Sequence, residues 1–269
     1  MIETFTGPHL NVKRLTDIAN LPAAATTFYL PSQPGRGCTN GYSTYPCVNA
    51  DGSLFLAFGT NNESYLYKAD GTFLFKPKCS QDTSSWPWIG ESNDPRWSSL
   101  AGEAAILYFI RWDGLFRFDA LTGISTLVRK FPAQCKKEGH FNQGGVVRPV
   151  LLENSQNHIV NVQTGTLIAQ TTGVVDISPS GQRAINWGNM DVTPIVSPTL
   201  CDLRAPAPAW NKFGFTKRFG HDGWGFTASG QEYFAAQNND NDYIEAVILE
   251  TGEHWKLFQL TDLAADYYE

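Results

Sequence analysis

Short runs of apolar residues alternate with polar turns along the chain, at the lengths that β-strands adopt. Residues 221–262 show this most completely. An apolar run leads into the turn Ala228-Ser229-Gly230, and three more strand-like runs follow at residues 231–237, 243–249 and 254–260. Runs of β-forming residues separated by Gly, Asn and Asp turns are typical of a meandering antiparallel sheet. The pattern predicts a four-stranded antiparallel unit at this place.

Turn glycines indicate that the same unit recurs along the chain. One series comprises Gly52, Gly102, Gly181 and Gly230, and a second, one hairpin further on, comprises Gly71, Gly123, Gly165 and Gly252. Successive glycines within a series lie 42 to 52 residues apart, except for two intervals of 79 and 87 residues that correspond to nearly two periods. Repeats of about 40 to 50 residues are the size of four-stranded propeller blades.

The repeats predict an all-β fold, a β-propeller of four-stranded antiparallel blades, with five blades. The predicted blades span residues 42–78, 97–131, 145–170, 172–208 and 218–262. Their most apolar segments, at residues 54–58 and 104–109, are predicted to be strands covered on both faces. No domain boundary is visible, so residues 1–269 are predicted to form one domain.

The N-terminal segment is predicted to close the ring of blades. Residues 11–17, NVKRLTD, are similar to the end of the last blade, WKLFQLTD. Residues 1–41 would therefore supply closing strands beside the C-terminal blade and remove a free sheet edge. The alternative is a six-bladed propeller, in which residues 1–41 form most of an extra blade.

Composition and charge narrow the classes of partner. With 269 residues, 42% of them hydrophobic, the chain can bury a substantial core. Its net charge of −6 argues against a general affinity for nucleic-acid phosphates. No stretch has the length of a membrane span, and the N-terminus lacks the pattern of a secretory signal. We expect no membrane insertion. The sequence leaves the location unknown; if the chain is complete, the protein belongs in the cytoplasm or in a larger assembly.

The five cysteines are odd in number and have neither CxxC spacing nor the density of a disulfide scaffold. We therefore predict that they are mostly buried thiols. If the compartment is oxidising, Cys38 and Cys47 are the best candidates for a bridge.

Several strings along the chain resemble segments of a known family. VKRLTD, TTFYLPSQPG and NADGSLFLAFGTNNESYLYKADG are similar to segments of the TolB-type propellers, among them the oligogalacturonate lyases and related polysaccharide lyases. GHDGWGFTASGQEYF, at residues 220–234, resembles the histidine-bearing blade opening of these lyases. The resemblance implies a propeller fold over most of the chain and action on uronate-containing glycans. It also implies a divalent metal as a possible cofactor, with ligands that stay unknown.

Two histidines are predicted to lie on one face of the propeller. His140 and His221 each precede the first strand of a blade, and such connections run towards the propeller axis. Gln143 and Arg148 lie close to the first histidine, and Arg218 lies close to the second. These five residues are the His, Gln and Arg side chains that the fold would gather in one place.

A polysaccharide lyase neutralises a uronate carboxylate and removes a proton from the neighbouring carbon. His140 and His221 fit the role of base or ligand, and Arg148 fits that of a carboxylate clamp. Gln143 and Arg218 would contact the sugar. Alternatively, the histidines cap strand ends and Arg148 pairs with a carboxylate of its own blade.

The long connection between the first two predicted blades, residues 78–96, is the second candidate site. Trp86 and Trp88, with Trp97 directly after the connection, are predicted to stack against the apolar faces of sugars. The acidic residues that would accept hydrogen bonds from sugar hydroxyls are Asp82, Glu91 and Asp94. Alternatively, Trp86 and Trp88 form a lid and Trp97 packs in the core. The tryptophans predicted to pack between blades are Trp112, Trp187, Trp210, Trp224 and Trp255.

The sequence favours a carbohydrate-binding propeller, with a polysaccharide or oligosaccharide bound on one face. Two alternatives stay open. One is a lyase-like enzyme acting on uronate-containing glycans. The other is a non-catalytic interaction protein that presents its loops to protein partners in a larger assembly, such as a virion or a surface complex. The fold does not decide among them, because propellers serve all three functions.

Overall fold

The computed structural model describes residues 4–7, 10–13, 48–59, 62–136, 145–186, 198–212, 219–238 and 243–259. Within these ranges the regular structure is β-strand, apart from one turn of 3₁₀ helix at Glu91–Asn93. The chain divides into two compact units, Met1–Gly139 with Val162–Gly165 and His140–Asn161 with Thr166–Glu269. No helix in the described ranges has the length and apolar character needed to cross a bilayer.

The first unit contains a hairpin and two antiparallel sheets. The hairpin strands are β1 (Thr4–Gly7) and β2 (Leu10–Lys13). The first sheet has the order β3 (Leu54–Phe58), β4 (Ser64–Lys68), β5 (Phe73–Phe75). The second sheet has the order β6 (Arg96–Trp97), β7 (Ile106–Arg111), β8 (Gly114–Asp119), β9 (Ile124–Lys130). A two-residue strand, β10 (Cys135–Lys136), follows.

The second unit contains three antiparallel sheets. The strands of its first sheet are β11 (Val146–Val147), β12 (Val150–Leu151), β13 (Gln156–Asn161) and β14 (Leu167–Thr172). The next sheet has the order β15 (Val175–Ile177), β16 (Arg183–Asn186), β17 (Thr199–Asp202), β18 (Trp210–Lys212). The last has the order β19 (Phe219–Phe226), β20 (Glu232–Asn238), β21 (Tyr243–Ile248), β22 (His254–Gln259).

Pro149 explains why one edge of β13 carries two short strands. Val147 lies opposite Val160, and Val150 lies opposite Asn157, so β11 and β12 follow the same edge of β13 in sequence. Between them, Pro149 has no N–H to donate to the ladder, which interrupts regular pairing. β14 occupies the other edge of β13.

The most apolar predicted strands are buried throughout. Every residue of β3 and of β7 is buried, whereas β9, at the outer edge of its sheet, is mostly exposed. Leu56, Leu107 and Phe118 belong to the main core cluster of the first unit. The second unit has separate clusters, one that includes Ile159 and Val175 and another centred on Phe234. Burial on both faces accounts for the lack of polar alternation in these strands.

The predicted turn glycines share one backbone geometry. All eight have positive φ angles, between 68° and 89°: Gly52, Gly71, Gly102, Gly123, Gly165, Gly181, Gly230 and Gly252. An L side chain is strained at such angles. At Gly165 a Cβ would also lie 2.7 Å from the carbonyl oxygen of Val128. The glycine periodicity in the sequence therefore reflects left-handed turns between strands.

The predicted all-β class, with successive antiparallel sheets, is confirmed, and each predicted blade contains one sheet. The first sheet has three strands, with an isolated bridge from Val48 to Phe55 at the edge of β3. The fourth predicted blade extends further than expected, because β18 ends at Lys212. Of the predicted closing segment, the described part is the β1–β2 hairpin. The blade count, the closure and the single domain stay predictions.

Candidate functional site

Residues 78–96, here called the tryptophan loop, begin with a hairpin that is closed at its base. The N–H of Cys79 donates to the carbonyl of Pro87 at 2.8 Å, and the N–H of Ile89 donates to the carbonyl of Pro77 at 3.0 Å. The Ile89 side chain is completely buried in the core of the first unit. Its carbonyl accepts a hydrogen bond from the N–H of Ser64 at 3.0 Å. The hairpin is thus fixed to the start of β4, the central strand of the first sheet.

Arg111, the last residue of β7, holds the far part of this hairpin. Its Nη1 donates to the carbonyl of Trp88 at 2.9 Å, and its Nη2 donates to the carbonyl of Trp86 at 2.5 Å. Nη2 also pairs with the carboxylate of Asp82, whose side chain is 1% exposed. A guanidinium suits this position because its donors form a rigid fork that reaches several acceptors at once. Arg111 therefore donates to the carbonyls of the loop the hydrogen bonds that a neighbouring strand would donate within a sheet.

Asp82 is a structural ion-pair partner. Burial opposes ionisation of its carboxyl group, but hydrogen bonds from Ser84 and the charge of Arg111 outweigh burial, so its pKa lies below the ordinary value. Asp94 is placed similarly, since Arg96 Nε donates to its Oδ1 at 2.8 Å and both side chains are buried. These two carboxylates are therefore enclosed, contrary to the prediction that they accept hydrogen bonds from a sugar. Glu91 is half-exposed.

Two exposed tryptophans contact Arg111, Trp86 through its backbone carbonyl and Trp112 through its ring. Trp86 is 38% exposed and Trp112 is 46% exposed. The guanidinium carbon of Arg111 lies 4.7 Å from the ring centroid of Trp112, while the same guanidinium binds the carbonyl of Trp86. The prediction that Trp112 packs between blades is wrong, because this residue lies in the tight turn after β7, with φ of 50°, where nearly half of its surface is exposed. We call Trp86 and Trp112 the indole surface.

Trp88 is half-buried beneath a lysine. Lys76 Nζ lies 4.2 Å from the ring centroid of Trp88 and 5.8 Å from that of Tyr65. The same Nζ lies 2.7 Å from Glu63 Oε2, which also accepts a hydrogen bond from the Tyr65 hydroxyl at 3.0 Å. A cation above an aromatic ring contributes roughly 1–2 kcal/mol when it is desolvated. One face of the Trp88 ring is therefore occupied by the protein itself.

Trp97 is a core residue. It lies in β6, is 3% exposed and belongs to the apolar cluster that contains Leu107 and Phe118. The interpretation in which Trp97 packs in the core agrees with this placement. The indole has no exposed face that a sugar could cover.

Arg148 is buried in the second unit. Its Nη1 donates to Asn157 Oδ1 at 3.0 Å, and Asn157 Nδ2 donates in turn to the carbonyl of Gly173 at 2.6 Å. With an exposure of 3%, Arg148 presents no open fork to a carboxylate in solution. The predicted role as carboxylate clamp therefore has no geometric support, whereas a role in tying β13 to its neighbours does.

The remaining predicted site residues are not described by their side chains. His140, Gln143 and Arg218 lie outside the described residues. The prediction that His221 precedes the first strand of the last blade is wrong, because His221 is the third residue of β19, where its backbone is described. Within the described ranges, no three His, Cys, Asp or Glu side chains converge as a metal site. The predicted base, ligand and sugar-contacting roles of these residues stay predictions.

The described cysteines are free thiols. Cys79 and Cys201 are buried, as predicted, and Cys135 is half-buried. Burial raises the pKa of Cys135 to about 12 and that of Cys201 to about 11. Both stay protonated at neutral pH, which makes them weak nucleophiles and weak metal ligands. Cys38 and Cys47, the candidates for a bridge in an oxidising compartment, lie outside the described residues.

Comparison with known proteins gives similarities of fold. No family model matches the chain, and no curated protein sequence matches it. Among solved structures, the tricorn protease is 15% identical, with a TM-score of 0.48 over 82% of this chain and 23% of that one. Dihydro-heme d1 dehydrogenase NirN in complex with DHE is 12% identical, with a TM-score of 0.47 over 82% of this chain and 46% of the other.

A third similar structure is the hydrazine synthase of Kuenenia stuttgartiensis, which is 10% identical, with a TM-score of 0.44 over 76% of this chain and 63% of that one. All three are β-propeller-type folds. The chain spans less than two thirds of the length of each of these proteins. The likeness concerns the fold alone, and the candidate site of this chain is defined by its own residues.

Proposed function

We propose that the protein binds a carbohydrate at the indole surface. The observation that carries this proposal is that Trp86 and Trp112 are both exposed beside one buried guanidinium, that of Arg111. Indole faces stack on the apolar faces of sugar rings. Because Arg111 and the hairpin base hold the loop in place, less conformational freedom is lost when a ligand binds.

Neutral polar side chains are exposed on the hairpin that carries Trp86. Gln81, Thr83 and Ser85 are exposed along the same hairpin. Their amide and hydroxyl groups can both donate and accept hydrogen bonds, which suits the polar rim of a sugar. The enclosed carboxylate of Asp82 organises this hairpin from within and does not add a negative charge to its exposed face. The surface therefore favours a neutral stretch of polysaccharide or oligosaccharide.

A glycan array probed with the purified protein tests the proposal. We expect retention on a subset of glycans, and we expect Trp86→Ala and Trp112→Ala each to weaken binding about tenfold or more, as for buried aromatic contacts elsewhere. Trp255→Ala is the matched control, because Trp255 is 36% exposed and lies in the second unit. No retention on any glycan, or equal losses for all three variants, would overturn the proposal.

The lyase-like alternative is tested in the same wells. A lyase acting on uronate-containing glycans releases unsaturated products, which absorb in the ultraviolet. His221→Ala should abolish product formation if that histidine is the base. Binding without product leaves a non-catalytic binding protein.

An interaction protein is the second candidate function. Three apolar side chains are exposed on β9 and the turn before it, with Leu121 at 77%, Ile124 at 56% and Leu127 at 45%. β9 is also the outer strand of its sheet, and exposed strands with apolar side chains can pair with another chain. Loss of a protein partner on Ile124→Lys, with glycan binding unchanged, would favour this function.

We further propose that the sheets are the blades of one five-bladed propeller, closed by residues 1–41. The one-sheet-per-repeat pattern and the positive-φ glycines support this arrangement. The six-bladed alternative differs in giving residues 1–41 most of a blade of their own. Deletion of residues 1–41 should lower the unfolding temperature of the whole chain in calorimetry, and an unchanged transition would contradict the closure.

A further inference from the structure

A groove of about 540 Å³ lies in the first unit, between β5 and the turn that joins β8 to β9. Its lining residues are Phe73, Leu74, Phe75, Lys76, Lys78, Trp88, Leu121, Thr122 and Gly123. Its size matches that of cavities that accept a small organic molecule. Because five of these nine side chains are large and apolar, the groove favours an apolar ligand body.

Both walls of the groove are fixed by contacts within the fold. On one side, the Asp119 carboxylate accepts hydrogen bonds from the N–H groups of Leu121 and Thr122, at 2.8 and 3.1 Å. On the other side, the ring of Phe75 packs edge-on against Phe118 at a centroid distance of 6.2 Å. A preformed groove binds a ligand with little cost in ordering its own residues.

Among the described residues that line the groove, the charged ones are two lysines, and none carries a carboxylate. The positive charge of Lys76 is balanced by Glu63 at 2.7 Å and covered by the ring of Trp88. Lys78 is exposed, and an isolated backbone bridge to Trp88 fixes the position of its main chain. On a chain with a net charge of −6, this lining is locally complementary to an anion.

A sugar would match this groove poorly. Thr122 is the single hydroxyl-bearing side chain among the described lining residues. Most hydroxyl groups of a sugar would therefore lose their hydrogen bonds to water without replacement from these residues. A flat apolar body can instead contact Phe73 and Phe75. This ligand class differs from the carbohydrate proposed for the indole surface.

We propose that the groove binds a small organic anion with a flat apolar body, its carboxylate paired with Lys78 and its rings against Phe73 and Phe75. Hydrogen bonds between a carboxylate and an ammonium are stronger than those between neutral groups. The rings of the ligand bury apolar surface against the two phenylalanines, and Lys78 makes the groove prefer an anion over a neutral ligand. The inference does not depend on glycan binding.

Calorimetric titration of the full chain with 2-naphthoate and with neutral 2-naphthamide tests the proposal. We expect naphthoate to bind about tenfold more tightly, the difference that one charge-assisted hydrogen bond provides. Lys78→Ala should remove this preference, and Lys78→Arg should restore it. Lys212→Ala, which changes an exposed lysine in the other unit, should leave it intact.

A variant that blocks the groove tests whether naphthoate binds there or on another apolar surface. Thr122 is exposed, so Thr122→Trp should fold and should fill the groove. Loss of naphthoate binding in this variant, with an unchanged circular dichroism spectrum, supports the assignment. If Thr122→Trp does not fold, the Lys78 series decides. Equal binding of naphthoate and naphthamide, no binding of either, or unchanged binding in Lys78→Ala would overturn the proposal.

Discussion

Two buried arginines, one in each unit, are used in different ways. Arg111 directs its donors to the main-chain carbonyls of Trp86 and Trp88 as well as to Asp82. Arg183, the first residue of β16, pairs through Nη1 with Glu232 at 3.1 Å and with Glu250 at 2.9 Å. The first arginine therefore fixes an irregular segment, and the second joins neighbouring sheets through side chains alone.

The difference shows where this fold needs a buried charge. Strand pairing satisfies the backbone groups of β16 and β20, so Arg183 adds a link between elements that are already formed. The carbonyls of Trp86 and Trp88 have no such ladder, and a buried unpaired carbonyl is costly. We expect removal of Arg111 to disturb local structure and the indole surface, whereas removal of Arg183 should affect stability alone.

The largest effect is expected for Arg111→Met. This variant leaves the buried carboxylate of Asp82 without its cation, and the breaking of such a pair costs about 3–5 kcal/mol. Urea unfolding should show a fall of that size in the free energy of unfolding, together with loss of glycan binding. Arg111→Lys keeps the positive charge but lacks the fork of donors. Its free energy of unfolding should lie between those of the wild type and Arg111→Met. A fall below about 1 kcal/mol would contradict the anchoring role.

A smaller effect is expected for Arg183→Met. The side chain of Glu250 is 33% exposed, so this carboxylate can return to water when the arginine is removed, whereas Glu232 cannot. We expect a loss of about 2–3 kcal/mol in the free energy of unfolding. Glycan binding by the folded protein should not change. If glycan binding is weaker in Arg183→Met at a temperature where this variant is folded, Arg183 would also support the indole surface, and the proposed difference between the two arginines would be wrong.

Acid should weaken the ion pair between Asp82 and Arg111. The pKa of Asp82 is lowered in the folded state, so its contribution to stability is present above the unfolded pKa of about 4 and is lost as pH falls through the folded value. The stability difference between the wild type and Asp82→Asn should therefore narrow as pH falls below about 4. Urea midpoints from pH 6 to pH 3 measure this. Parallel curves would show that Asp82 is not stabilised as a carboxylate.

The smallest effect is expected at Asp202. Hydrogen bonds from Arg204 lower its pKa to about 2, but both side chains are about half exposed. Exposed ion pairs contribute little, because solvent and salt screen them. Asp202→Asn should change the free energy of unfolding by less than about 1 kcal/mol. A larger loss would mean that ion pairs stabilise this fold irrespective of burial.

The sequence predicts those features that depend on neighbours along the chain. The four strands of residues 221–262 appear at the predicted places, because each is bounded by a turn whose glycine needs positive φ. The anchoring of the tryptophan loop is not predictable in this way. Arg111 and its acceptors are 23 to 29 residues apart, and no local pattern shows that they meet.

The candidate site was predictable in part for the same reason. The length of the tryptophan loop pointed to Trp86, which is exposed. Trp112 lies in the turn between β7 and β8, with a positive φ that is uncommon for a residue other than glycine. The Asp113-Gly114 pair after it is a hairpin signal that the predicted packing of Trp112 did not use. For Arg148, the residue type suggested a clamp, but burial beside Asn157 depends on the strand break at Pro149.

The position of Arg111 has a further consequence for the chain before it folds. β7 begins with Ile-Leu-Tyr-Phe-Ile, five consecutive uncharged residues that favour β-structure. Such a segment associates with copies of itself when it is exposed, and a charge at its end opposes this association. Arg111 provides that charge in the nascent chain. We expect the residue that later fixes the tryptophan loop also to oppose aggregation of this segment during synthesis.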